Sequence, residues 1–155
     1  DLHRLIRRQR QMCIRDRLEP QAAEAGVQLN IKGDDDLVIN GEADQIDGAV
    51  TKLIENAIGY SKENGVVSVS ASKDKDGDRA VIRVIDQGTG IAKKDQARIF
   101  ERFYRGAEQS NRTAEGVGLG LAIVKHVALT HHGDVTVWSA PGQGSTFSLT
   151  LPLAQ

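Results

Sequence analysis

The stretch Gly116-Val-Gly-Leu-Gly-Leu121, which continues into Ala-Ile-Val-Lys-His-Val-Ala-Leu129, is the most informative part of this 155-residue chain. Glycine at every second position lets a backbone approach a ligand, and Leu119, Ile123 and Val127 recur four apart, as on one helix face. A glycine-rich turn that opens a helix offers free N–H groups to phosphate. Flexible connectors and close helix packing also use alternating glycines. The predicted phosphate-binding residues are Gly116, Val117, Gly118, Leu119, Gly120 and Leu121.

The composition predicts one soluble globular domain, because 39% of the residues are hydrophobic and no apolar run approaches the length of a membrane span. The 20 Lys and Arg residues nearly balance the 21 Asp and Glu residues, which excludes a generally basic nucleic-acid-binding surface. Cys13 is the only cysteine, so no internal disulfide forms, and the histidines show no zinc spacing with it. We therefore expect a reducing cytoplasm and a function carried by one specific site.

The N-terminal residues lack the apolar core of a signal peptide. Residues 1–25 have a helical composition, and we expect a lead-in helical segment that Pro20 breaks or restarts. The basic segment Gln9 to Arg17 is interpreted as a solvated stretch. The chain is expected to be a fragment of a larger protein.

Strand and helix patterns alternate in the rest of the chain. Apolar and polar residues alternate as in β-strands at 27–31, 37–39, 66–71, 80–85, 134–139 and 145–151. Helical spacing predicts a helix from Ala43 to Tyr60, with its apolar residues packed inward and Lys52, Asn56 and Gly59 on a second face. The inward residues are Ile46, Val50, Leu53, Ile54 and Ala57. This order predicts an α+β two-layer sandwich.

A long irregular connection runs from Ile91 to Gly116, with a short helical turn around Asp95 to Phe100. It contains Phe100, Phe103 and Tyr104, half of the six aromatic residues. We interpret it as a lid or binding loop, since a purely solvated loop gains nothing from aromatics. The triple Asp34, Asp35, Asp36 is interpreted as a solvated turn in preference to a metal site.

Five motifs occur in order: Asn56 on the polar helix face, Asp86-Gln-Gly-Thr-Gly-Ile91, the lid, the Gly116 to Gly120 loop, and Gly142-Gln-Gly-Ser-Thr-Phe147. The series resembles the ATP-binding catalytic domain of sensor histidine kinases, in the family shared with gyrase B, the Hsp90 chaperone and MutL. The resemblance covers roughly residues 26 to 153 and is strengthened by Ile99-Phe-Glu-Arg-Phe-Tyr-Arg105, which looks like the phenylalanine motif of these kinases. The lid and C-terminal block look most like the phosphate-regulation type.

The resemblance implies a catalytic domain over 26–155 with a lid at about 92–115, and a mixed, mostly antiparallel sheet covered on one face by helices. It also implies ATP and Mg²⁺ as ligands. A buried carboxylate at Asp86 would accept from the adenine amino group and repel the guanine carbonyl. The Asn56 oxygen would bind Mg²⁺, although a structural helix asparagine is the alternative. Besides Asp86, Asn56 and the glycine loop, the implied nucleotide-binding residues are Tyr60, Gly88, Gly90, Ile91, Phe103 and Thr146.

The implied activity is transfer of the ATP γ-phosphoryl group to a histidine on a separate helical dimerisation domain, for relay to a response regulator. None of His3, His126, His131 and His132 lies in the acceptor motif, so the acceptor domain is expected to be absent. His131 and His132 look like a helix end, where a cation is mildly favoured. The domain would be cytoplasmic, in a parent protein anchored in the cell membrane.

Three residues depart from the family pattern. Lys52 replaces the usual asparagine, Gly59 replaces a common basic phosphate contact, and Glu115 replaces a glycine. Asn56 and Lys52 are the two predicted catalytic positions. An ammonium about 4 Å from Mg²⁺ would be repelled by about 8 kcal/mol at an effective dielectric of about 20. Either the Lys52 stem carries its charge away, or the site binds ATP with poor metal occupancy.

Three other functions share these motifs. A degenerate nucleotide-binding module would signal without phosphotransfer, and an anti-sigma serine kinase would lack the phenylalanine block. A gyrase or chaperone ATPase would need a glutamate at the position of Lys52 to activate water.

Overall fold

The computed structural model describes residues 16–33, 39, 41–96, 98–101 and 117–153. Residues 16–24 form helix α1. The other elements are β1 (Gln28–Gly33), α2 (Ala43–Tyr60), β2 (Val66–Lys73), β3 (Arg79–Asp86), α3 (Lys93–Gln96), α4 (Val117–Thr130), β4 (Asp134–Ala140) and β5 (Gly144–Pro152).

The five strands form one sheet in the order β1-β2-β3-β5-β4. Strands β1 and β2 run parallel, with α2 between them in the chain, and the other neighbours pair antiparallel. Helices α2 and α4 pack together and against one sheet face, where Leu53, Ile54, Val84, Val124 and Phe147 are almost completely buried. The predicted α+β fold with a mixed, mostly antiparallel sheet is confirmed.

Helix α2 has the predicted bounds and the predicted inward face. Val50, Leu53, Ile54 and Ala57 are buried, and Ile46 is half-buried against them. Of the strand predicted at 37–39, Ile39 forms an isolated bridge with Leu153, and residues 37 and 38 lie outside the described part. The Asp34 to Asp36 triple also lies outside it. The remaining predicted strands are present with ends moved by one or two residues.

Only part of the apolar face noted for α4 is buried. Val127 is buried, whereas Ile123 is 47% exposed and the side chain of Leu119 lies outside the described part. The other buried residues of the helix are Leu121, Val124 and Ala128. Because this helix carries apolar residues on several sides, periodicity alone does not select the face that is buried. Packing against α2 and the sheet decides which face that is.

Helix α1 continues through Pro20, so the predicted interruption at this residue is wrong. Leu18 and Ala22, four residues apart, are buried in the main core. The Arg17 Nη2 donates to Asp47 Oδ2 at 3.0 Å and to Thr51 Oγ1 at 3.1 Å, both on α2. Tertiary packing therefore holds this helix despite the proline. No helix among the described residues is long and apolar enough to cross a membrane.

Helix α4 ends in a Schellman motif. The Gly133 N–H donates to the Ala128 carbonyl at 2.8 Å, and the His132 N–H donates to the Leu129 carbonyl at 3.2 Å. His132 is the left-handed residue of the motif, with φ of 62°. The preceding His131 accepts from the Glu42 N–H at Nε2 and places Nδ1 2.8 Å from the Val127 carbonyl. His131 thus connects the end of α4 to the residue that precedes α2, and the predicted location of both histidines at a helix end is confirmed.

We expect His132→Gly to stabilise the domain by about 0.5–1 kcal/mol. The side chain of His132 is exposed, and glycine adopts the left-handed conformation without the cost that a β-carbon imposes. Urea unfolding measures the change. His126→Gly, at an exposed position inside α4, is the matched control and is expected to destabilise. A loss of stability in His132→Gly would contradict the prediction.

Candidate functional site

Strand β3 ends at Asp86, and the loop from Gln87 to Ile91 then passes the C-terminal end of α2. A β-carbon on Gly88 would overlap the Tyr60 carbonyl oxygen. Gly90 has φ of 77°, and a β-carbon there would overlap the Ala140 carbonyl oxygen. The sequence suggested that these glycines make room for a base. In the structure they make room for the protein's own backbone, which fixes the loop beside α2 and β4.

Asp86 is 2% exposed. Its Oδ1 accepts from the Gly88 N–H at 2.9 Å, and its Oδ2 is buried with no hydrogen-bond partner among the described residues. Burial raises the pKa of Asp86, and the amides of Gly88 and Ser145 oppose that rise. A buried carboxylate oxygen without a donor is costly for the fold, so this atom is suited to accept from a ligand.

Strand register places Ser145, not Thr146, beside Asp86. Asp86 is directly opposite Ser145 on β5, and both are buried, whereas Thr146 is opposite Ile85 and next to Trp138. Ile85 and Trp138 are exposed on the sheet face that the helices leave open. Thr146 is therefore not brought together with Asp86. Counting alternate residues back from the buried Phe147 would have identified Ser145 from the sequence.

Asn56 and Tyr60 lie one turn apart in the last turns of α2. Both amide atoms of Asn56 are buried, and neither has a hydrogen-bond partner in the described part of the chain. Tyr60 is buried, and its backbone meets Gly88. The end of α2 thus brings Asn56 to the same region as the Asp86 loop. Its amide oxygen is a hard, unused acceptor of the type that Mg²⁺ prefers, so the residues present fit the implied metal.

Lys52 pairs with a neighbour on the same helix. Its side chain is 45% exposed, and Nζ lies 4.0 Å from Glu55 Oε1. Both side chains of this pair are at least partly exposed, and a role of Lys52 at the metal stays a prediction. Gly59 is partly buried on α2, and Glu115 lies outside the described residues.

Helix α4 begins at Val117, so Gly118 and Gly120 lie in its first turn and not in a loop. The backbone amides of a first turn have no intrahelical partners, so phosphate binding at this helix start stays a prediction with a physical basis. Leu121 is 2% exposed and packs in the core. Gly116 and the side chains of 117–120 lie outside the described part.

The start of the predicted lid packs on the core. Helix α3 covers Lys93–Gln96, earlier than the predicted turn at Asp95 to Phe100. The Phe100 ring meets Phe147 edge-on with centroids 6.1 Å apart, and Lys125 Nζ lies 5.7 Å from the Phe100 centroid. Lys125 also donates to Asp134 Oδ1 at 2.6 Å, which lowers the pKa of that carboxyl. The rest of the lid, including Phe103, lies outside the described residues.

Sequence reasoning missed a polar network beneath the Asp86 loop. Ser139 Oγ accepts from the Ile91 N–H at 2.7 Å and donates to the Gly144 carbonyl at 2.9 Å. It also lies 2.8 Å from Ser145 Oγ. The Gln96 Nε2 donates to the carbonyls of Ile91 and Ser139 at 2.9 and 3.0 Å. No local pattern reveals these contacts, because Ser139 is 48 positions from Ile91 along the chain.

The family model of histidine kinase-, DNA gyrase B- and HSP90-like ATPases matches residues 41–155. The sensor-like histidine kinase SenX3 of Mycobacterium tuberculosis is 44% identical over 131 residues, covering 84% of this chain and 32% of SenX3. The sensor histidine kinase WalK of Bacillus subtilis is 40% identical over 119 residues, covering 77% of this chain and 20% of WalK. The chain therefore spans a third or less of these relatives.

Two solved structures have the same fold. The mycobacterial sensor histidine kinase MprB superposes with a TM-score of 0.75 and 29% identity, covering 92% of this chain and 95% of that one. Full-length ShkA in complex with AMPPNP superposes with a TM-score of 0.79 and 28% identity, covering all of this chain and 30% of that one.

Proposed function

Since the chain belongs to the histidine kinase-, DNA gyrase B- and HSP90-like ATPase family, as the ATP-binding catalytic domain of a sensor histidine kinase, we propose that Asp86 and Asn56 position ATP for transfer of its γ-phosphoryl group to a histidine. Such transfer requires positioning and neutralisation of charge more than covalent chemistry by the protein. The structure of ShkA, one of the relatives, contains the nucleotide analogue AMPPNP.

One observation carries this proposal: the buried Asp86 Oδ2 has no donor among the described residues. The adenine amino group supplies a donor there, whereas guanine presents a carbonyl acceptor that the carboxylate repels. Ser145 replaces Thr146 as the β5 residue next to this position, because it is the one opposite Asp86. Tyr60, Gly88, Gly90, Ile91 and the first turn of α4 remain proposed nucleotide-binding positions, as does Phe103.

We propose Mg²⁺ as the metal, with the Asn56 amide oxygen as its protein ligand. Both polar atoms of this side chain are buried and unused in the described part of the chain. The ion supplies neutralisation of phosphate charge when it is bound. The protein's part is to present an oxygen from a rigid helix, one turn before Tyr60.

The proposed acceptor is a histidine on a helical dimerisation domain of the parent protein, with a response-regulator receiver domain as the next partner. In the proposed arrangement, residues 1–25 lead into a catalytic domain at 26–155, which is cytoplasmic in a parent anchored in the cell membrane. The burial of Leu18 and Ala22 means that residues 16–24 of the lead-in segment pack on this domain. The Gly116 to Lys125 and Val137 to Phe147 blocks support a phosphate-regulation type of kinase.

A calorimetric titration of the chain with ATP, with and without Mg²⁺, tests the proposal. We expect saturable binding that Mg²⁺ strengthens, and weaker binding of GTP because of Asp86. Phosphorylation of a histidine domain supplied from a related kinase tests the transfer step. With labelled ATP, the phosphate transferred to that domain should be lost in acid, because phosphohistidine is acid-labile; acid-stable labelled phosphate would support a serine kinase. Absence of ATP binding would overturn the proposal.

Lys52→Asn separates an active kinase from a degenerate module. Because the Lys52 ammonium is already directed to Glu55, we expect its removal to change Mg²⁺-dependent phosphorylation by less than about threefold, the range of an exposed ion pair. Initial rates of transfer to the supplied histidine domain measure this. Lys62→Asn, which removes an exposed lysine just after α2, is the charge-matched control. A large gain in Lys52→Asn alone would mean that the natural site is impaired.

A further inference from the structure

The backbone of Ile91 is held at both of its polar groups. Its N–H donates to Ser139 Oγ at 2.7 Å, and its carbonyl accepts from Gln96 Nε2 at 2.9 Å. The same Gln96 nitrogen donates to the Ser139 carbonyl at 3.0 Å. Three residues from α3, β4 and the Asp86 loop therefore form a closed ring of hydrogen bonds.

The chemistry of this ring suits the amide of Gln96. An amide nitrogen carries two hydrogens, and here each is directed to a carbonyl oxygen. A carboxylate in its place has no hydrogen to donate, and an apolar side chain leaves both carbonyls without this donor. Gln96 is half-buried on a helix of only four residues. Because a helix this short is not stable by itself, α3 depends on tertiary contacts such as those of the Gln96 side chain.

The ring connects to Asp86 from two directions. Ile91 is five residues after Asp86, at the other end of the same loop. Ser139 Oγ lies 2.8 Å from Ser145 Oγ, and Ser145 is directly opposite Asp86 in the pairing of β3 with β5. Displacement of Ile91 or Ser139 would thus move the loop relative to the carboxylate oxygen that has no donor.

We propose that Gln96 is a positioning residue for the adenine end of the nucleotide site, acting through the backbone of Ile91 and through Ser139. The inference rests on the proposed function, because it takes Asp86 and Ile91 to be the residues that meet the base. Gln96 itself touches no nucleotide in this arrangement. Its effect is to hold the loop in the geometry that binding requires, so that less ordering remains to be done when ATP binds.

Gln96→Met tests the proposal, since methionine keeps the length and volume of the side chain and removes both donors. We expect binding of ATP and of adenosine to weaken by the same factor, about 5- to 20-fold, because the defect lies at the base end. Calorimetric titration measures the affinity for ATP, and competition with ATP measures the affinity for adenosine. Amide exchange at Ile91 should become faster in the same variant. Gln45→Met, at an exposed position on α2, is the control and should leave both affinities unchanged.

A second pair keeps the test decisive if Gln96→Met does not fold. Ser139→Ala removes the acceptor for the Ile91 N–H, and Ser139→Thr retains a hydroxyl at a strand position that tolerates threonine. We expect Ser139→Ala to weaken the binding of ATP and of adenosine as Gln96→Met does. Ser139→Thr should retain most of the wild-type affinity. A purely structural role would lower the unfolding midpoint of these variants and leave their affinities unchanged.

The outcomes separate this inference from the proposed function. Wild-type protein that binds no ATP would overturn both. Wild-type protein that binds ATP, with Gln96→Met and Ser139→Ala equally tight, would overturn the positioning role alone. Loss of ATP affinity with unchanged adenosine affinity would also overturn it, because the defect would then lie at the phosphates.

Discussion

Asp86→Asn is expected to bind ATP about 5- to 150-fold more weakly than the wild-type protein, the equivalent of about 1–3 kcal/mol. The substituted side chain keeps an oxygen for the Gly88 N–H, which Asp86 Oδ1 now accepts at 2.9 Å. In place of Oδ2 it presents an N–H₂ group toward the adenine amino group, so a donor meets a donor. Isothermal titration with ATP and GTP measures the loss, and discrimination against GTP should fall in the same variant.

The same substitution should stabilise the ligand-free domain. Burial raises the folded pKa of Asp86 above its ordinary value of 3.8, which means that the ionised carboxylate is disfavoured in the folded state. The resulting cost to stability is fully present above the raised pKa and disappears as pH falls through it toward the unfolded value. The stability gap between Asp86→Asn and wild type should therefore be largest near neutral pH and shrink on acidification, which urea unfolding across pH measures.

Asp134→Asn is the matched control for both effects. Asp134 has its pKa lowered by the hydrogen bond from Lys125, so removal of its charge should slightly destabilise the domain, by less than about 1 kcal/mol for this half-exposed pair. ATP affinity should not change. Unaltered ATP affinity in Asp86→Asn, or equal losses in both variants, would contradict the assignment of Asp86.

Asn56→Leu is expected to abolish the Mg²⁺ dependence of ATP binding, with a loss of about tenfold or more in the affinity for the Mg²⁺ complex. Leucine has the same number and branching of side-chain heavy atoms as asparagine, with methyl groups in place of the amide oxygen and nitrogen, and it offers no oxygen to the metal. Since both amide atoms of Asn56 are buried without partners among the described residues, their removal should leave the ligand-free domain as stable as before or more stable by about 1 kcal/mol. Titrations with and without Mg²⁺ and thermal unfolding measure the two effects.

Asn30→Leu serves as the control for this prediction, because Asn30 is an exposed residue on β1, away from the end of α2. It should change neither the Mg²⁺ dependence nor the affinity. If Asn56→Leu instead destabilises the ligand-free domain and keeps its response to Mg²⁺, Asn56 is a structural helix residue and the metal has other ligands.

Much of the fold was predictable because local patterns and long-range packing agree. The α2 residues Val50, Leu53, Ile54 and Ala57 recur at helical spacing and are buried, and the helix has the predicted bounds from Ala43 to Tyr60. The sequences of β2, β3, β4 and β5 alternate, and burial alternates with them at 66–70, 82–86, 135–139 and 145–152. Where the local pattern is ambiguous, it does not select the buried face: α4 is apolar on several sides, and Ile123, four residues before the buried Val127, is exposed.

In the candidate site, too, some features could be predicted from the sequence and others could not. The sequence by itself determined the residue types and their order, from Asn56 through Asp86 to the glycines of α4, and this order can be recognised as that of an ATP-binding domain without coordinates. Only the tertiary structure decided which neighbour each residue meets. It placed Ser145 rather than Thr146 beside Asp86, and it directed Lys52 to Glu55.

The same distinction holds for the backbone of the Asp86 loop. Its glycines are evident in the sequence, but their partners, the carbonyls of Tyr60 and Ala140, belong to other elements. The hydrogen bonds of Gln96 and Ser139 to Ile91 likewise join three separate segments. Chain-local preferences depend on neighbours a few residues away, whereas these contacts depend on strand register and on the packing of α2 and α3 against the sheet, which no local pattern contains.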